Sequence, residues 1–189
     1  FEYGGDEGQL ALYASGTTPL DEDVEIEVAL DAEAIGNYNK VNFDKQFSSY
    51  AQQLPDENYT FEKMSVVMKA GENTAFLPVK VNIDDLLADQ TYFIPLRIAS
   101  VSAYMPSLTR NYVLFEIHRK NEFATTKSDT YYTMNGTTQE GWLKDNIFGS
   151  STRRQVINSS KLVVPCGKNS ILILPAAKVT NDKNLSRQM

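Results

Sequence analysis

Apolar and polar residues alternate along several short stretches of this chain. In VEIEVAL (24–30) almost every second residue is a large aliphatic one, and this period of two predicts a strand with one buried face. Comparable patterns predict strands over 9–15, 91–102 and 111–119, and two more within 59–83. Residues 70–73 are expected to join these last two, because Gly71 tolerates the positive φ that a tight turn needs.

Two of the predicted strands also allow predictions about the positions of individual residues in the sheet. Pro95 lies inside 91–102 and indicates an edge position or a bulge, because proline donates no ladder hydrogen bond. In 111–119 the alternation predicts that Tyr112, Leu114 and Glu116 share one face.

One helix is expected after the second strand. The apolar residues of 43–54 follow helical spacing and predict a short helix, with Asn42 as its cap and Pro55 just past its end. Residues 31–40 are expected to turn the chain from strand to helix, and no chemistry is expected there. Residues 1–8 are expected to be a loose lead-in.

The order of these elements favours a mainly all-β fold. Six or seven strands with closely spaced turn signals, and no alternation of helix and strand, are typical of an antiparallel β-sandwich. The polar stretch RKNEFATTKSD (119–129) indicates a boundary. We therefore predict a β-sandwich domain over 1–118 and a small or partial β-rich C-terminal domain over 119–189.

The composition and charge of the chain argue against some classes of binding partner. The 189 residues are 42% hydrophobic and carry a formal net charge of −6, so the chain can bury a core. Its densest basic groups, 118–120 and 153–154, are too short to follow a phosphate backbone. We therefore expect neither a nucleic acid nor an anionic membrane surface as a partner.

Residue types that carry catalysis or bind metals are scarce. His118 is the only histidine and Cys166 the only cysteine, which excludes an intrachain disulfide and argues against a zinc site. No flanking signature indicates a nucleophile paired with a base. We expect ordinary structural positions for both residues, no metal site and no cofactor, since the glycine-containing stretches lack phosphate-binding spacing.

The acidic residues leave two alternatives to helix capping and solvation. Glycosidases use two carboxylates about 5–10 Å apart, and the 24 acidic residues offer many pairs among which the sequence does not choose. The DED at 21–23 lacks the glycine and the terminal glutamate of a calcium loop. A weak loop calcium site is the second alternative.

Four aromatic residues are the candidate ligand contacts. Tyr131, Tyr132 and Trp142 cluster in the sequence near Asn135, and Tyr104 lies in a predicted loop. Aromatic faces can stack on sugar rings while amides bind hydroxyl groups, as in concave sites with a few placed polar groups. The alternative is that these rings belong to the core, as most aromatic residues of β proteins do.

The order of several pieces over residues 9–118 resembles one known family. VEIEVALDAEAIGNYNK, YAQQLPDENYTF and MSVVMKAGENTAFLPVKVNIDDLLADQTYFIPLRIASVS follow one another in a way that is similar to the N-terminal domain family of Bacteroidetes cell-surface lipoproteins, domain of unknown function 1735. The resemblance implies an immunoglobulin-like sandwich on an exported, lipid-anchored protein. Such domains often precede a glycan-hydrolysing or carbohydrate-binding module. The family has no established catalytic residues, so none is assigned to this chain.

The resemblance and the patterns together predict a non-catalytic module of an outer-membrane lipoprotein at the cell surface. We expect it to bind glycan or another surface protein, or to act as a spacer, in a glycan-utilisation system. The export signal and the anchor are expected outside this sequence. The alternative is a small glycan hydrolase that uses a carboxylate pair.

Overall fold

The computed structural model describes residues 1–16, 18–137 and 156–173. Within these ranges the α-helix α1 spans Ala32–Phe43, and short 3₁₀ turns lie at Phe47–Ser49 and Asp56–Asn58. The strands in the same ranges are β1 (Asp6–Tyr13), β2 (Val24–Leu30), β3 (Gln52–Gln53), β4 (Tyr59–Thr60), β5 (Ser65–Met68), β6 (Thr74–Val81), β7 (Tyr92–Val101), β8 (Tyr112–Glu116), β9 (Thr130–Thr137), β10 (Val156–Gly167) and β11 (Ser170–Ile173).

Two sheets form the predicted sandwich. The first has the order β1–β6–β4, and the second has the order β3–β7–β2–β5 with β8 added on β7. Alternate residues of both sheets, such as Ile26 and Val28 in β2 and Leu77 and Val79 in β6, are buried in one core. Burying each large aliphatic side chain stabilises the fold by about 1.5–3 kcal/mol. The mainly all-β, immunoglobulin-like sandwich with one short helix is confirmed.

The turn at 70–73 joins strands of different sheets. Gly71 has a φ of +82°, as expected for a tight turn. β5 pairs with β2, whereas β6 pairs with β1 and β4. The turn therefore carries the chain from one layer of the sandwich to the other and does not close a hairpin.

The helix lies earlier in the chain than predicted. Asp31 caps α1, and its Oδ1 accepts a hydrogen bond from the Ala34 N–H at 3.3 Å. Glu33 in the first turn and Lys40 in the last turn match the charges that the helix dipole favours. The helix ends at Phe43, and the next residue, Asp44, has a φ of +46° that lies outside the right-handed helical region.

The prediction of a helix over 43–54 with Asn42 as its cap is wrong. This segment contains the 3₁₀ turn at 47–49 and then extends into β3, which pairs in parallel with β7. Ala51 and Leu54 are buried from an extended backbone. Their apolar character therefore reflects contacts with distant strands and not a helical face.

Pro95 lies in an inner strand, so the edge position predicted for it is wrong. β7 pairs with β2 and with β8, and the irregularity in its pairing with β2 lies elsewhere. The pairing with β2 ends at Leu30 and Leu96, after which the Asp31 N–H donates to the Pro95 carbonyl at 3.0 Å. The Asp31 carbonyl accepts from the Ala34 N–H instead. Proline has no N–H group, and at Pro95 the missing N–H would face the point where β2 ends and α1 begins. No hydrogen bond between β7 and β2 is therefore lost.

Residues 1–8 belong to the folded unit and are not the loose lead-in that was predicted. β1 begins at Asp6 and pairs with β6 along its whole length. Tyr3 is 8% exposed, and its hydroxyl donates a hydrogen bond to the Pro165 carbonyl at 2.9 Å.

The last three strands form a separate antiparallel sheet of order β11–β10–β9. The Asn121 Nδ2 group donates to the carbonyls of Gly167 and Ser170, both at 2.8 Å, and its Oδ1 accepts from two main-chain N–H groups of the following turn. These bonds attach the third sheet to the segment that leaves the sandwich. The division into domains over 1–118 and 119–189 stays a prediction.

Arg119 is the first residue of the predicted boundary, and it is only 3% exposed. Its guanidinium donates to the carbonyls of Leu87, Ala88 and Gln90. Burial lowers the pKa of Arg119, and neighbouring Tyr3 and other groups oppose this effect. The buried cation thereby holds the turn at 84–90 against the end of the sandwich.

Among the described residues, no helix combines the length and the apolar character needed to cross a membrane.

Candidate functional site

A groove of about 450 Å³ lies between α1 and β8. We call it the α1–β8 groove. The helix contributes Glu33, Asn37 and Tyr38 to its lining, and the strand contributes Tyr112 and Leu114. The groove therefore combines aromatic rings with polar groups that can form hydrogen bonds.

The position of α1 is set by its buried face. Ile35 packs with Ala51 and Phe93 on the outer face of the second sheet. Asn39 is 6% exposed; its Nδ2 donates to the Ala51 carbonyl and its Oδ1 accepts from the Ala51 N–H, both at 2.8 Å. The amide side chain thus bonds to Ala51 as a neighbouring strand would, and it fixes the helix to the segment that leads into β3.

The strand side of the groove follows from the alternation along β8. Tyr112, Leu114 and Glu116 occupy alternate positions, so they share one face of the strand, as predicted. Register places Glu116 opposite Phe93 of β7, and the ring of Phe93 packs beneath α1. This face of β8 therefore lies beside the helix, and Tyr112, which is 57% exposed, stands at its open end.

Tyr38 forms the inner part of the groove. Its ring makes edge contacts with Phe93 at 5.1 Å and with Phe43 at 6.1 Å between ring centroids. Burial, and then the charge of Glu116, raise the pKa of Tyr38. Its hydroxyl is therefore protonated at neutral pH and can donate a hydrogen bond.

The charged residues in the lining are both acidic. Asp31 and Glu33 lie in the groove, and no lysine or arginine is part of the described lining. Asp31 is engaged in capping α1 through its Oδ1. Asn42 also lines the groove, and its Nδ2 donates to the Tyr38 carbonyl at 2.8 Å. The lining thus offers amide and carboxylate groups, of which Asp31 and Asn42 also stabilise the helix.

Tyr131 and Tyr132 are exposed neighbours in β9, with exposed fractions of 45% and 43%. Successive side chains of a strand point to opposite faces, so the two rings do not form one platform. The hydroxyl of Tyr131 donates to Asp129 at 3.1 Å, which raises the pKa of Tyr131, and the hydroxyl of Tyr132 donates to the Phe123 carbonyl at 3.0 Å.

Tyr104 lies in the loop between β7 and β8, as predicted, and is 58% exposed. It has a φ of +66°, and its hydroxyl accepts a hydrogen bond from the Asp21 N–H at 3.1 Å. The ring contacts found in the described part of the chain do not join Tyr104 to Tyr131 or Tyr132. Trp142, the fourth candidate contact, lies outside the described residues.

His118 and Cys166 have separate surroundings. The Nδ1 atom of His118 lies 3.7 Å from the Glu116 carboxylate. Cys166 is exposed near the end of β10. In the part of the chain that the structure describes, no group of three or more His, Cys, Asp or Glu residues is arranged to hold a metal ion.

The sequence patterns did not reveal the helical side of the groove, because 31–40 was interpreted as a connection. A usable signal was present: Asp31 is followed by Glu33 in the first turn and by Lys40 in the last. A capping residue with an acidic start and a basic end indicates a helix.

Comparison with known proteins places the chain in a family. Residues 1–105 match a family model described as an N-terminal domain. The chain belongs to this N-terminal domain family. A multidomain protein from Bacteroides ovatus that includes domain of unknown function 1735 has the same fold, with a TM-score of 0.67 and 19% identity over 91% of this chain and 53% of that protein. The family indicated by the sequence resemblance is therefore confirmed.

Two further solved structures share the fold. A Bacteroides ovatus protein of unknown function has a TM-score of 0.71 and 21% identity, over 97% of this chain and 58% of its own length. A protein from Bacteroides thetaiotaomicron described as an auxiliary nutrient binding protein has a TM-score of 0.67 and 17% identity, over 97% and 56%. This chain spans little more than half the length of these proteins, and at such identities the likeness establishes the fold alone. No curated protein matches the chain.

Proposed function

We propose that this chain is a non-catalytic module of a cell-surface lipoprotein and that it binds glycan in the α1–β8 groove. The observation that carries the proposal is the arrangement of Tyr112 and Tyr38 beside Asn37 and Glu33 in one groove. A sugar ring presents C–H groups that pack on an aromatic face and hydroxyl groups that bond to amides and carboxylates. Tyr38 adds a hydroxyl that is protonated at neutral pH.

The fold shared with an auxiliary nutrient binding protein of Bacteroides thetaiotaomicron supports this class of function. In this proposal the module stands at the outer membrane, attached through an anchor outside this sequence. A role as a spacer or as a protein-binding module is the alternative, and it predicts no glycan ligand for the groove.

A glycan hydrolase is disfavoured by the placement of the acidic residues in the groove. Such enzymes hold the scissile bond between two carboxyl groups. Asp31 and Glu33 belong to the same end of α1, whereas the described lining from β8 consists of Tyr112 and Leu114. The described lining therefore contains no carboxylate from β8, since Glu116 of that strand lies beside the lining and not in it.

The test is a glycan array probed with the wild-type chain and with Tyr112→Ala. A matched control is Tyr13→Ala, because Tyr13 is 74% exposed at the end of β1 and lies outside the lining of the groove. We expect wild type and Tyr13→Ala to bind the same glycans and Tyr112→Ala to lose at least tenfold in affinity, or about 1.4 kcal/mol.

The same array tests the aromatic residues predicted from the sequence. Tyr104, Tyr131, Tyr132 and Trp142 remain proposed ligand contacts. If Trp142→Ala abolishes binding and Tyr112→Ala does not, the ligand site includes Trp142 and the groove assignment is wrong. If the wild-type chain binds no glycan, the module is a spacer or a protein-binding unit.

A further inference from the structure

The charges around the α1–β8 groove are unevenly distributed. Asp31 and Glu33 line it at the N-terminal end of α1. Glu116 continues the row of Tyr112 and Leu114 on the same face of β8 and lies close enough to raise the pKa of Tyr38. Three negative charges thus lie in or beside the groove.

Two positive contributions oppose them. The first is the N-terminus of α1, which is equivalent to about half a positive charge. The second is Arg97, which lies opposite Tyr112 in the pairing of β7 with β8 but is not part of the groove lining. Neither contribution puts a positive side chain into the described lining, whose charged residues are Asp31 and Glu33.

Glu33 is the acidic group best placed to meet a ligand. It is exposed, and within the described part of the chain no hydrogen bond or ion pair engages its carboxylate. Asp31, in contrast, is half-buried and accepts the bond that caps the helix. A charged group of a bound ligand would therefore meet Glu33 before it meets another ionised side chain of the lining.

We infer that the α1–β8 groove selects glycans without anionic groups and binds a sugar with a free amine more tightly than the matched neutral sugar. This inference rests on the proposed glycan binding. An anionic sugar would bring its charge against Glu33 and Glu116, whereas an ammonium group would meet Glu33 as a counter-ion. At low ionic strength each such contact is expected to change affinity by about fivefold, and salt weakens the effect.

The test uses glucan hexamers of three linkages, β-1,4, β-1,3 and α-1,4, each in a neutral, a 6-amino and a 6-carboxyl form. Affinities are measured for wild type, Glu33→Gln, Arg97→Gln and Tyr112→Ala at low and at physiological ionic strength. For the linkage that binds, we expect the 6-amino form to bind about fivefold more tightly, and the 6-carboxyl form about fivefold more weakly, than the neutral form. Glu33→Gln should remove most of both differences between the charged forms and the neutral form.

The outcomes separate the inference from the function on which it rests. If the three forms bind equally and Tyr112→Ala abolishes their binding, the groove binds glycan and the charge selection is wrong. If the 6-carboxyl form binds best and Arg97→Gln removes that preference, Arg97 controls the site and the inference is again wrong. If none of the nine hexamers binds the wild-type chain, the inference fails, and the proposed function fails with it only when the glycan array is negative as well.

Discussion

Asn39 offers the sharpest test of how the groove is built. It lies on the buried face of α1, and its side chain makes two hydrogen bonds of 2.8 Å with the main chain of Ala51. Ala51 is 4% exposed, so water cannot readily replace the amide group. Substituting Asn39→Ala removes both bonds and leaves a buried N–H and a buried carbonyl without these partners.

The expected loss follows from these two groups. A buried donor or acceptor left unsatisfied costs about 1–3 kcal/mol, and alanine returns about 0.6 kcal/mol through its higher helix propensity. Two such groups, less the propensity gain, should lower the free energy of unfolding of Asn39→Ala by about 1.4–5.4 kcal/mol, a large part of the 5–15 kcal/mol typical of a domain. Asn39→Asp should also destabilise, because the carboxylate cannot donate to the Ala51 carbonyl and would be buried as a charge.

The measurement is equilibrium unfolding in urea followed by far-UV circular dichroism. Asn37→Ala is the control, because Asn37 lies on the same helix but is exposed, and it should show only the gain in stability of about 0.6 kcal/mol that comes from helix propensity. A loss below about 1 kcal/mol for Asn39→Ala, or losses of equal size for both variants, would refute the account of how α1 is held.

Three further predictions concern the rest of the fold. Arg119→Lys should lower the free energy of unfolding by about 2 kcal/mol in urea titrations, because one ammonium group cannot reach the three carbonyls that the guanidinium joins; unchanged stability would contradict this role. Burial, and then a hydrogen bond to Asp56, raise the pKa of Tyr59 to about 12. The fold therefore favours the neutral phenol, and this stabilisation should be complete below about pH 10 and lost as the pH rises to about 12. Thermal unfolding across that range should show a steeper decline for wild type than for Tyr59→Phe, and parallel curves would contradict the assignment. Cys166 is exposed, so a maleimide should label the native chain as fast as the urea-unfolded one, and strong protection would show that Cys166 is covered.

The strands were the part of the fold that the sequence predicted best. The alternation in 24–30 corresponds to β2 residue for residue, and Val24, Ile26 and Val28 are buried. The fourth large aliphatic residue, Leu30, is exposed at 41% where the strand ends. Period-two patterns succeed because one side of each strand lies on the shared core.

The helix was misplaced because two different causes produce similar apolar spacing. Ala51 and Leu54 are buried by β3 and its neighbours, whose pairing with β7 joins segments far apart in the sequence. Local spacing contains no information on such pairing. The capping by Asp31 is a local signal in the sequence, and it indicates a helix that begins at the next residue.

The groove, too, could be predicted only in part from local sequence patterns. Alternation correctly placed Tyr112, Leu114 and Glu116 on one face of β8, but it did not show that α1 lies beside that face. One clue was the run YFIPL (92–96), in which every residue is buried. A continuous apolar run indicates a strand that is covered on both faces, and α1 is the element that covers Phe93.

The most direct test of the central claim is a heteronuclear NMR titration of the labelled chain with the neutral hexamer that binds most tightly. The account predicts that the largest amide shift changes fall in α1 and β8, with those of Asn37 and Tyr112 among them, and that Tyr112→Ala removes them. Changes centred on β9, or no changes at saturating glycan, would contradict it.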